Sequence, residues 1–185
     1  MLNIARGLRQ VHEAGYLHLD LKPNNVLVRD DGTPVLIDFG ISKRSLVARY
    51  IEDKSFSMGS PYFMSPEQAR GEVLDERSDI YSFGALWYRI FTGRTPYIGR
   101  SLPEILAAHE QDGTLDMGEA LQRYQPILEH TLVGDREARY ANAQELIENI
   151  EQHSFEATGR FVVPVGRFPP DQPRSGWSPR KPAAA

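Results

Sequence analysis

Apolar residues recur at helical spacing over much of the chain. In residues 1–15 they share one face, opposite arginine and glutamine, which predicts an amphipathic helix that ends at Gly15. Its inward positions are Ile4, Ala5, Leu8, Val11 and His12. Residues 79–93 are apolar on most of the helical surface, so we expect this second helix to be buried in the middle of the domain.

Three more helices are predicted farther along the chain. One begins at Ser101 and extends to His109, with a proline and a glutamate in its first turn. Another covers residues 121–132 and is bent at Pro126. Asn142 is the predicted cap of the last helix. The inward residues of that last helix are Ala143, Leu146, Ile147 and Ile150.

Two short β-branched runs break the helical pattern. Val26–Val28 and residues 35–37 are separated by residues 29–34, which carry an Asp-Gly pair at their tip. Apolar runs on either side of such a turn are typical of a β-hairpin. The sequence therefore predicts a mainly α fold with one small β-hairpin.

Composition and charge narrow the functional classes. The chain has 185 residues, enough for one domain with a proper core, and its 41% apolar and 25% charged fractions are ordinary for a globular protein. A net charge of −4 gives no reason to expect nucleic acid as a partner. Cysteine is absent, and no apolar run has the length of a membrane span. The cytoplasm is the expected location.

The composition changes near residue 156. Residues 156–185 have little apolar periodicity and are mildly basic, which predicts a disordered tail or linker. The prolines of this stretch are Pro164, Pro169, Pro170, Pro173, Pro179 and Pro182. A docking segment for a proline-binding partner is the alternative to a spacer.

The candidate chemistry lies at the two ends of the predicted hairpin. Asp20 and Lys22 precede it together with Asn25, and Asp38 follows it. A carboxylate can accept a proton from an attacking hydroxyl, and a lysine can contact a phosphate. Asn25 and Asp38 offer oxygen ligands of the kind that Mg²⁺ takes. Because a hairpin brings its ends together, we expect these side chains to face one cleft suited to phosphoryl transfer.

These residues resemble the motifs of the protein kinase family. His18-Leu19-Asp20, with Asn25 five residues after the aspartate, is similar to the catalytic loop, and Asp38-Phe39-Gly40 matches the metal-binding triplet. Lys22 is typical of the serine/threonine branch. The resemblance implies that Asp20 is the base and that His18 supports the loop by packing. Leu19 departs from the pattern, because the family has an arginine there that couples phosphorylation of the activation segment to the catalytic loop.

Further motifs extend the resemblance along the chain. Residues 41–64 are similar to an activation segment in which Ser60 bonds the catalytic loop, and Ser65-Pro66-Glu67 closes it as in bacterial serine/threonine kinases. The resemblance implies that Asp79 bonds the backbone of the catalytic loop, and its place also suggests a helix cap. Arg139 stands where the family has an arginine that pairs with Glu67, so we expect a buried ion pair.

The resemblance implies that residues 1–155 form the larger, C-terminal lobe of a protein kinase and that the smaller, N-terminal lobe is missing. ATP and Mg²⁺ are the implied cofactors, with Lys22, Asn25 and Asp38 as their contacts, and a protein hydroxyl is the implied substrate. A kinase-like binding module without catalysis is the alternative. Leu19 and the missing lobe, without which this chain is expected to be inactive or weakly active, favour it, whereas the retained Asn25 and Asp38 argue against it. A small-molecule phosphotransferase is a third option, but the Ser65-Pro66-Glu67 motif argues against it.

Overall fold

Helices and two short antiparallel sheets make up the part of the chain that the computed structural model describes, which is residues 1–38, 42–43, 61–97, 99, 104–105, 107–108 and 115–156. The α-helices are α1 (Leu2–Glu13), α2 (Pro66–Arg70), α3 (Glu76–Thr92), α4 (Gly118–Leu121), α5 (Gln125–Leu132) and α6 (Ala143–Glu156). The strands are β1 (Tyr16–Leu17), β2 (Val26–Val28), β3 (Pro34–Leu36) and β4 (Ser42–Lys43). Short 3₁₀ turns lie at Pro23–Asn25, Pro61–Phe63, Gln122–Tyr124 and Arg136–Ala138.

Helix α1 leads the chain toward the candidate site. Ile4, Ala5, Leu8 and His12 are buried, as the helical spacing predicted. The helix packs against α6 on one side and β3 on another. Gly15 takes a left-handed φ of 81° just after the helix, and its N–H donates to the carbonyl of His12. This confirms the predicted end of the helix and turns the chain into β1.

Helix α3 is the centre of the core. Its residues 78–88 are all buried, which confirms the predicted central position. Trp87 packs edge-on against Phe83 at 5.7 Å between ring centroids and lies 5.1 Å from the ring of Tyr124. Aromatic side chains bury large apolar areas, so this cluster contributes strongly to the free energy of folding. It ties α3 to the segment that leads into α5.

The predicted start of this helix was wrong. The helix begins at Glu76, and its cap is Asp75, whose carboxylate accepts a hydrogen bond of 2.9 Å from the N–H of Arg77. Asp79 therefore lies within the first turns of the helix and caps nothing. Several acidic residues precede the apolar run, and the sequence pattern predicted that the nearest of them, Asp79, begins the helix.

Replacing Gly84 with alanine should destabilise the fold by about 1–3 kcal/mol, because the core has no room for the added methyl group. A Cβ at this position would overlap the Thr131 hydroxyl oxygen and lie 2.7 Å from the Thr131 Cβ. Chemical denaturation measures the loss. Gly7→Ala is the matched control, since among the described residues its Cβ would meet Leu36 alone, at 3.4 Å or beyond. Equal stability of the two variants would contradict the tight approach of α3 to α5.

The predicted β-hairpin is present, with its second strand one residue earlier than expected. Strands β2 and β3 pair antiparallel, with Val26 opposite Leu36 and Val28 opposite Pro34. Gly32 has a left-handed φ of 81°, which allows its N–H to donate to the carbonyl of Arg29 and close the turn. The second sheet pairs β1 with β4. Strand β4 therefore lies beside β1, the strand that leads into the loop carrying Asp20.

The C-terminal helices agree with the sequence in their core positions. The helix predicted over residues 121–132 is divided into α4, a 3₁₀ turn and α5, with Pro126 at the start of α5. Asn142 caps α6 as predicted, because its side-chain oxygen accepts from the N–H of Glu145 at 3.0 Å. All four predicted inward residues of α6 are buried.

Some predictions fall on residues outside the described ranges. They concern Phe39, Gly40, Ser60, most of residues 41–60 and the tail after Glu156. Of the helix predicted from Ser101 to His109, residues 104–105 and 107–108 are described and helical. Among the described residues, no helix combines the length and the apolar character needed to cross a membrane.

Candidate active site

The loop between β1 and β2 brings three of the predicted site residues into direct contact. The Lys22 ammonium lies 2.6 Å from Oδ2 of Asp20, and the Asn25 side-chain N–H donates to the same oxygen at 2.9 Å. The Asn25 amide nitrogen also donates to the Asp20 main-chain carbonyl at 2.7 Å. These contacts hold the Asp20 carboxylate in one orientation. The predicted grouping of Asp20, Lys22 and Asn25 is therefore seen in the geometry.

The group remains open to a ligand. The Asp20 side chain is 38% exposed and the Lys22 side chain is 23% exposed, so a reacting hydroxyl can reach the carboxylate. Asn25 is buried, and its amide nitrogen is taken up by Asp20. The amide oxygen is the part of Asn25 that remains for a cation.

The hairpin places Asp38 next to this loop. The N–H of Ile37 donates to the carbonyl of Asn25 at 3.0 Å, so these two residues lie side by side and Asp38 follows directly. Asp38 is exposed and has a left-handed φ of 52°, which is uncommon for a residue with a side chain. Such backbone strain is found at functional sites, where the surrounding structure holds it.

The donor set fits Mg²⁺. An amide oxygen of Asn25 and a carboxylate of Asp38 are hard oxygen ligands, and Mg²⁺ is commonly bound by one or two protein carboxylates, substrate phosphates and water. The described residues contain no cluster of three or more His, Asp or Glu side chains of the kind that holds a metal by itself. The assignment of these metal ligands stays a prediction.

His18 supports the loop from below. Its side chain is fully buried, and its Nδ1 accepts a long hydrogen bond of 3.4 Å from the main-chain N–H of Asp20. Burial lowers the pKa of His18, although the carboxylates of Asp79 and Asp20 act in the opposite direction. A buried imidazole kept neutral can accept from the backbone, so the geometry agrees with the predicted packing role.

Asp79 anchors the loop from helix α3. Its two carboxylate oxygens accept from the main-chain N–H groups of His18 and Leu19, each at 2.7 Å. Nε2 of His12 lies 2.9 Å from Oδ2 of the same carboxylate. This confirms the predicted bonds from Asp79 to the loop backbone. The role of His12 was missed, although a histidine on the inward face of α1 indicated a buried polar partner.

We expect Asp79→Asn to destabilise the chain by about 1–3 kcal/mol, because the amide NH₂ would face a backbone N–H and leave a buried donor without an acceptor. Thermal melting measures this loss, and amide hydrogen exchange should accelerate at His18 and Leu19. Asp135→Asn is a matched control, since the exposed Asp135 side chain accepts from the N–H of Glu137. Unchanged exchange at His18 and Leu19 in the Asp79 variant would contradict the anchoring role.

A buried ion pair joins Glu67 on α2 to Arg139. Both oxygens of Glu67 receive a hydrogen bond from the Arg139 guanidinium, at 2.8 and 3.0 Å, and the two side chains are 3% and 0% exposed. Arg139 also donates to the carbonyls of Val133, Gly134 and Arg77. Burial by itself raises the pKa of Glu67, but the hydrogen bonds and charge of Arg139 outweigh it and hold the pKa below its usual value. The predicted buried pair is confirmed.

Comparison with known families agrees with this geometry. Residues 1–155 match the family model described as protein kinase domain. This match covers most of the chain and includes the loop, the hairpin and the helices described above. The chain belongs to the protein kinase family.

Its relatives are bacterial serine/threonine-protein kinases. The chain is 34% identical over 161 residues to the probable serine/threonine-protein kinase PknB of Bifidobacterium longum, which covers 81% of this chain and 22% of that protein. It is 34% identical over 189 residues to the serine/threonine-protein kinase pkn2 of Myxococcus xanthus, covering 95% of this chain and 22% of that protein. It is 36% identical over 167 residues to PknL of Mycobacterium tuberculosis, covering 87% of this chain and 41% of that protein.

Proposed function

We propose that this chain carries the phosphate-transfer machinery of a serine/threonine protein kinase that acts on protein hydroxyls. The observation that carries the proposal is the contact of Lys22 and Asn25 with one oxygen of Asp20, at 2.6 and 2.9 Å, beside the hairpin end that holds Asp38. The chain spans between about a fifth and two fifths of the relatives named above, so the activity of the whole protein belongs to the proposal.

The residues divide the work by their chemistry. Asp20 accepts the proton of a serine or threonine hydroxyl. The hydroxyl oxygen bonds to the γ-phosphorus of ATP while the bond from that phosphorus to the β-phosphate oxygen breaks. Lys22 holds the Asp20 carboxylate and offers its charge to the transferred phosphate. Asn25 and Asp38 would hold Mg²⁺, which supplies charge neutralisation at the phosphate oxygens.

The proposal also assigns regions and a location. Residues 1–155 are assigned to the larger lobe of the kinase domain, and residues 156–185 to a proline-rich tail outside it. The cytoplasm is the compartment that suits the activity, because ATP and Mg²⁺ are available there. The absence of cysteine agrees with a reducing compartment.

The test is Mg²⁺-dependent transfer of labelled phosphate from ATP to serine- and threonine-containing peptides, with protein translated from the complete gene. We expect Asp38→Ala to raise the Mg²⁺ concentration needed for half-maximal rate by about tenfold or more, because one of two protein ligands is lost. Asp30→Ala, in the exposed hairpin turn, is the matched control. An unchanged Mg²⁺ dependence in the Asp38 variant would remove Asp38 from the site.

A binding module without catalysis is the second candidate. The observation that favours it is Leu19, which is 4% exposed and lies in an apolar cluster where the family has an arginine. Absence of phosphate transfer at every Mg²⁺ concentration, in a protein shown to be folded, would support this candidate over the enzyme.

A further inference from the structure

The residue before the proposed base has an unfavourable backbone conformation. Leu19 has a φ of 59°, in the left-handed region that a branched side chain rarely occupies. Since Leu19 directly precedes Asp20, its conformation determines the direction in which the Asp20 side chain leaves the loop. The neighbouring structure has to hold Leu19 if Asp20 is to stay in place.

Contacts from three elements hold Leu19. Its N–H donates to Oδ1 of Asp79 on α3 at 2.7 Å, and its carbonyl accepts from Nε2 of Gln68 on α2 at 2.8 Å. Its side chain packs with Leu17 and Leu74 in a cluster separate from the main core. The main-chain N–H, the main-chain carbonyl and the side chain of Leu19 are thus each fixed by a different partner.

The Gln68 contact is unusual for a buried amide. Gln68 is 8% exposed, and its Oε1 has no hydrogen-bond partner among the described residues. A carbonyl can only accept, so the amide nitrogen must face Leu19 and the oxygen must face away. Burying an amide with one unsatisfied atom is costly, and an apolar side chain of the same length would avoid that cost. The bond to Leu19 is what the glutamine adds.

We propose that Gln68 is a positioning residue for catalysis, which holds the Leu19 carbonyl and thereby the Asp20 carboxylate against Lys22 and Asn25. The inference rests on the proposed function. It also gives α2 a direct link to the catalytic loop through a main-chain atom. The hydrogen bond from Gln68 reaches the main-chain carbonyl of residue 19, so it does not require a charged side chain at that position.

The experiment compares Gln68→Met with Ser78→Ala. Gln68→Met keeps length and volume but removes the donor to Leu19. Ser78→Ala removes the hydrogen bond of 2.8 Å between the Ser78 hydroxyl on α3 and Glu67, the neighbour of Gln68 on α2, and keeps the donor to the Leu19 carbonyl. We expect Gln68→Met to lower kcat by about 10- to 100-fold with little change in KM for ATP or peptide, because a small displacement of the base costs that much. Ser78→Ala should keep the parent kcat.

A second readout separates this inference from the proposed function. In the 185-residue chain, the NMR signals of the Leu19 carbonyl carbon and the Asp20 amide should move in Gln68→Met and stay in place in Ser78→Ala. If the parent protein transfers no phosphate, the proposed function fails, and the NMR shift alone decides whether Gln68 holds the loop. Unmoved signals, or an active parent whose kcat survives in Gln68→Met, would overturn the inference. Gln68→Glu, which also lacks the donor at neutral pH, replaces Gln68→Met if that variant does not fold.

Discussion

Replacing Asp20 with asparagine should lower the rate of phosphate transfer by about 10²- to 10⁴-fold, the contribution typical of a positioned general base. The substitution keeps the size of the side chain and leaves an oxygen that can still contact Lys22 and Asn25. It removes the negative charge and the ability to take up the proton of the attacking hydroxyl. Transfer of labelled phosphate to a peptide, with protein translated from the complete gene, measures the effect.

The control for this prediction is the same substitution in the hairpin turn. Asp30 is exposed, so Asp30→Asn changes the net charge equally without touching the loop. Thermal melting establishes that both variants are folded. A rate within a fewfold of the parent in folded Asp20→Asn would remove Asp20 from the role of base, and with it the main support for the enzyme proposal.

Local sequence carried enough information to predict the hairpin and the loop before it. Val26–Val28 and the run at residues 35–37 are short and rich in β-branched residues, and Gly32 supplies the left-handed φ of 81° that the turn needs. Because the hairpin fixes which residues lie at its ends, the sequence alone predicts that Asn25 and Asp38 lie near each other. The bond from Ile37 to Asn25 agrees with that expectation.

The supports of the loop could not be read from local sequence. Gln68 is 49 residues from Leu19, and His12 is 67 residues from Asp79. Such contacts depend on how α1, α2 and α3 pack against one another, and the spacing of apolar residues along the chain does not predict that packing. Asp79 itself was expected to bond the loop because of the family resemblance, whereas its helix position was inferred from the pattern and was wrong. The family resemblance therefore predicted the contact of Asp79 with the loop, which the spacing of residues alone did not predict.

Leu19 shows how a departure from a family pattern acquires a physical meaning. The sequence indicated only that a charge was missing. In the structure the leucine is buried with Leu17 and Leu74, so the position contributes packing to the loop. An arginine there would bring a charge into an apolar cluster, which is unfavourable unless the charge is paired. The loop of this chain is therefore held by apolar contact where relatives with arginine have a charge.

Removal of Glu67 should have the largest effect on stability. We expect Glu67→Ala to lower the free energy of unfolding by about 3–5 kcal/mol, because the Arg139 guanidinium would stay buried without its carboxylate. The side chains of this pair are 3% and 0% exposed, so water cannot replace the lost partner without a rearrangement. Chemical denaturation measures the change.

An exposed pair on the same fold provides the comparison. Arg6 and Glu151 join α1 to α6 at 2.8 Å, with side chains 50% and 47% exposed. Glu151→Ala should cost no more than about 1 kcal/mol, since solvent-exposed ion pairs contribute little. The double variant of Glu67 and Arg139 should be less destabilised than the sum of the single variants, because each single change leaves one charge unpaired. Additive losses would contradict a coupled buried pair.

The stability of the chain at acid pH should depend on the protonation of Glu67. Arg139 holds the pKa of folded Glu67 below the ordinary value of 4.5, so the unfolded chain binds this proton first as the pH falls. The contribution of Glu67 is therefore complete above about pH 4.5 and is lost as the pH drops through the lower, folded pKa. Glu67→Gln cannot bind that proton, so its stability should fall less steeply with pH in this acid range than that of the parent. Parallel curves for the parent and Glu67→Gln would show that Glu67 has the same pKa in the folded and unfolded chain, and that Arg139 does not stabilise its charge.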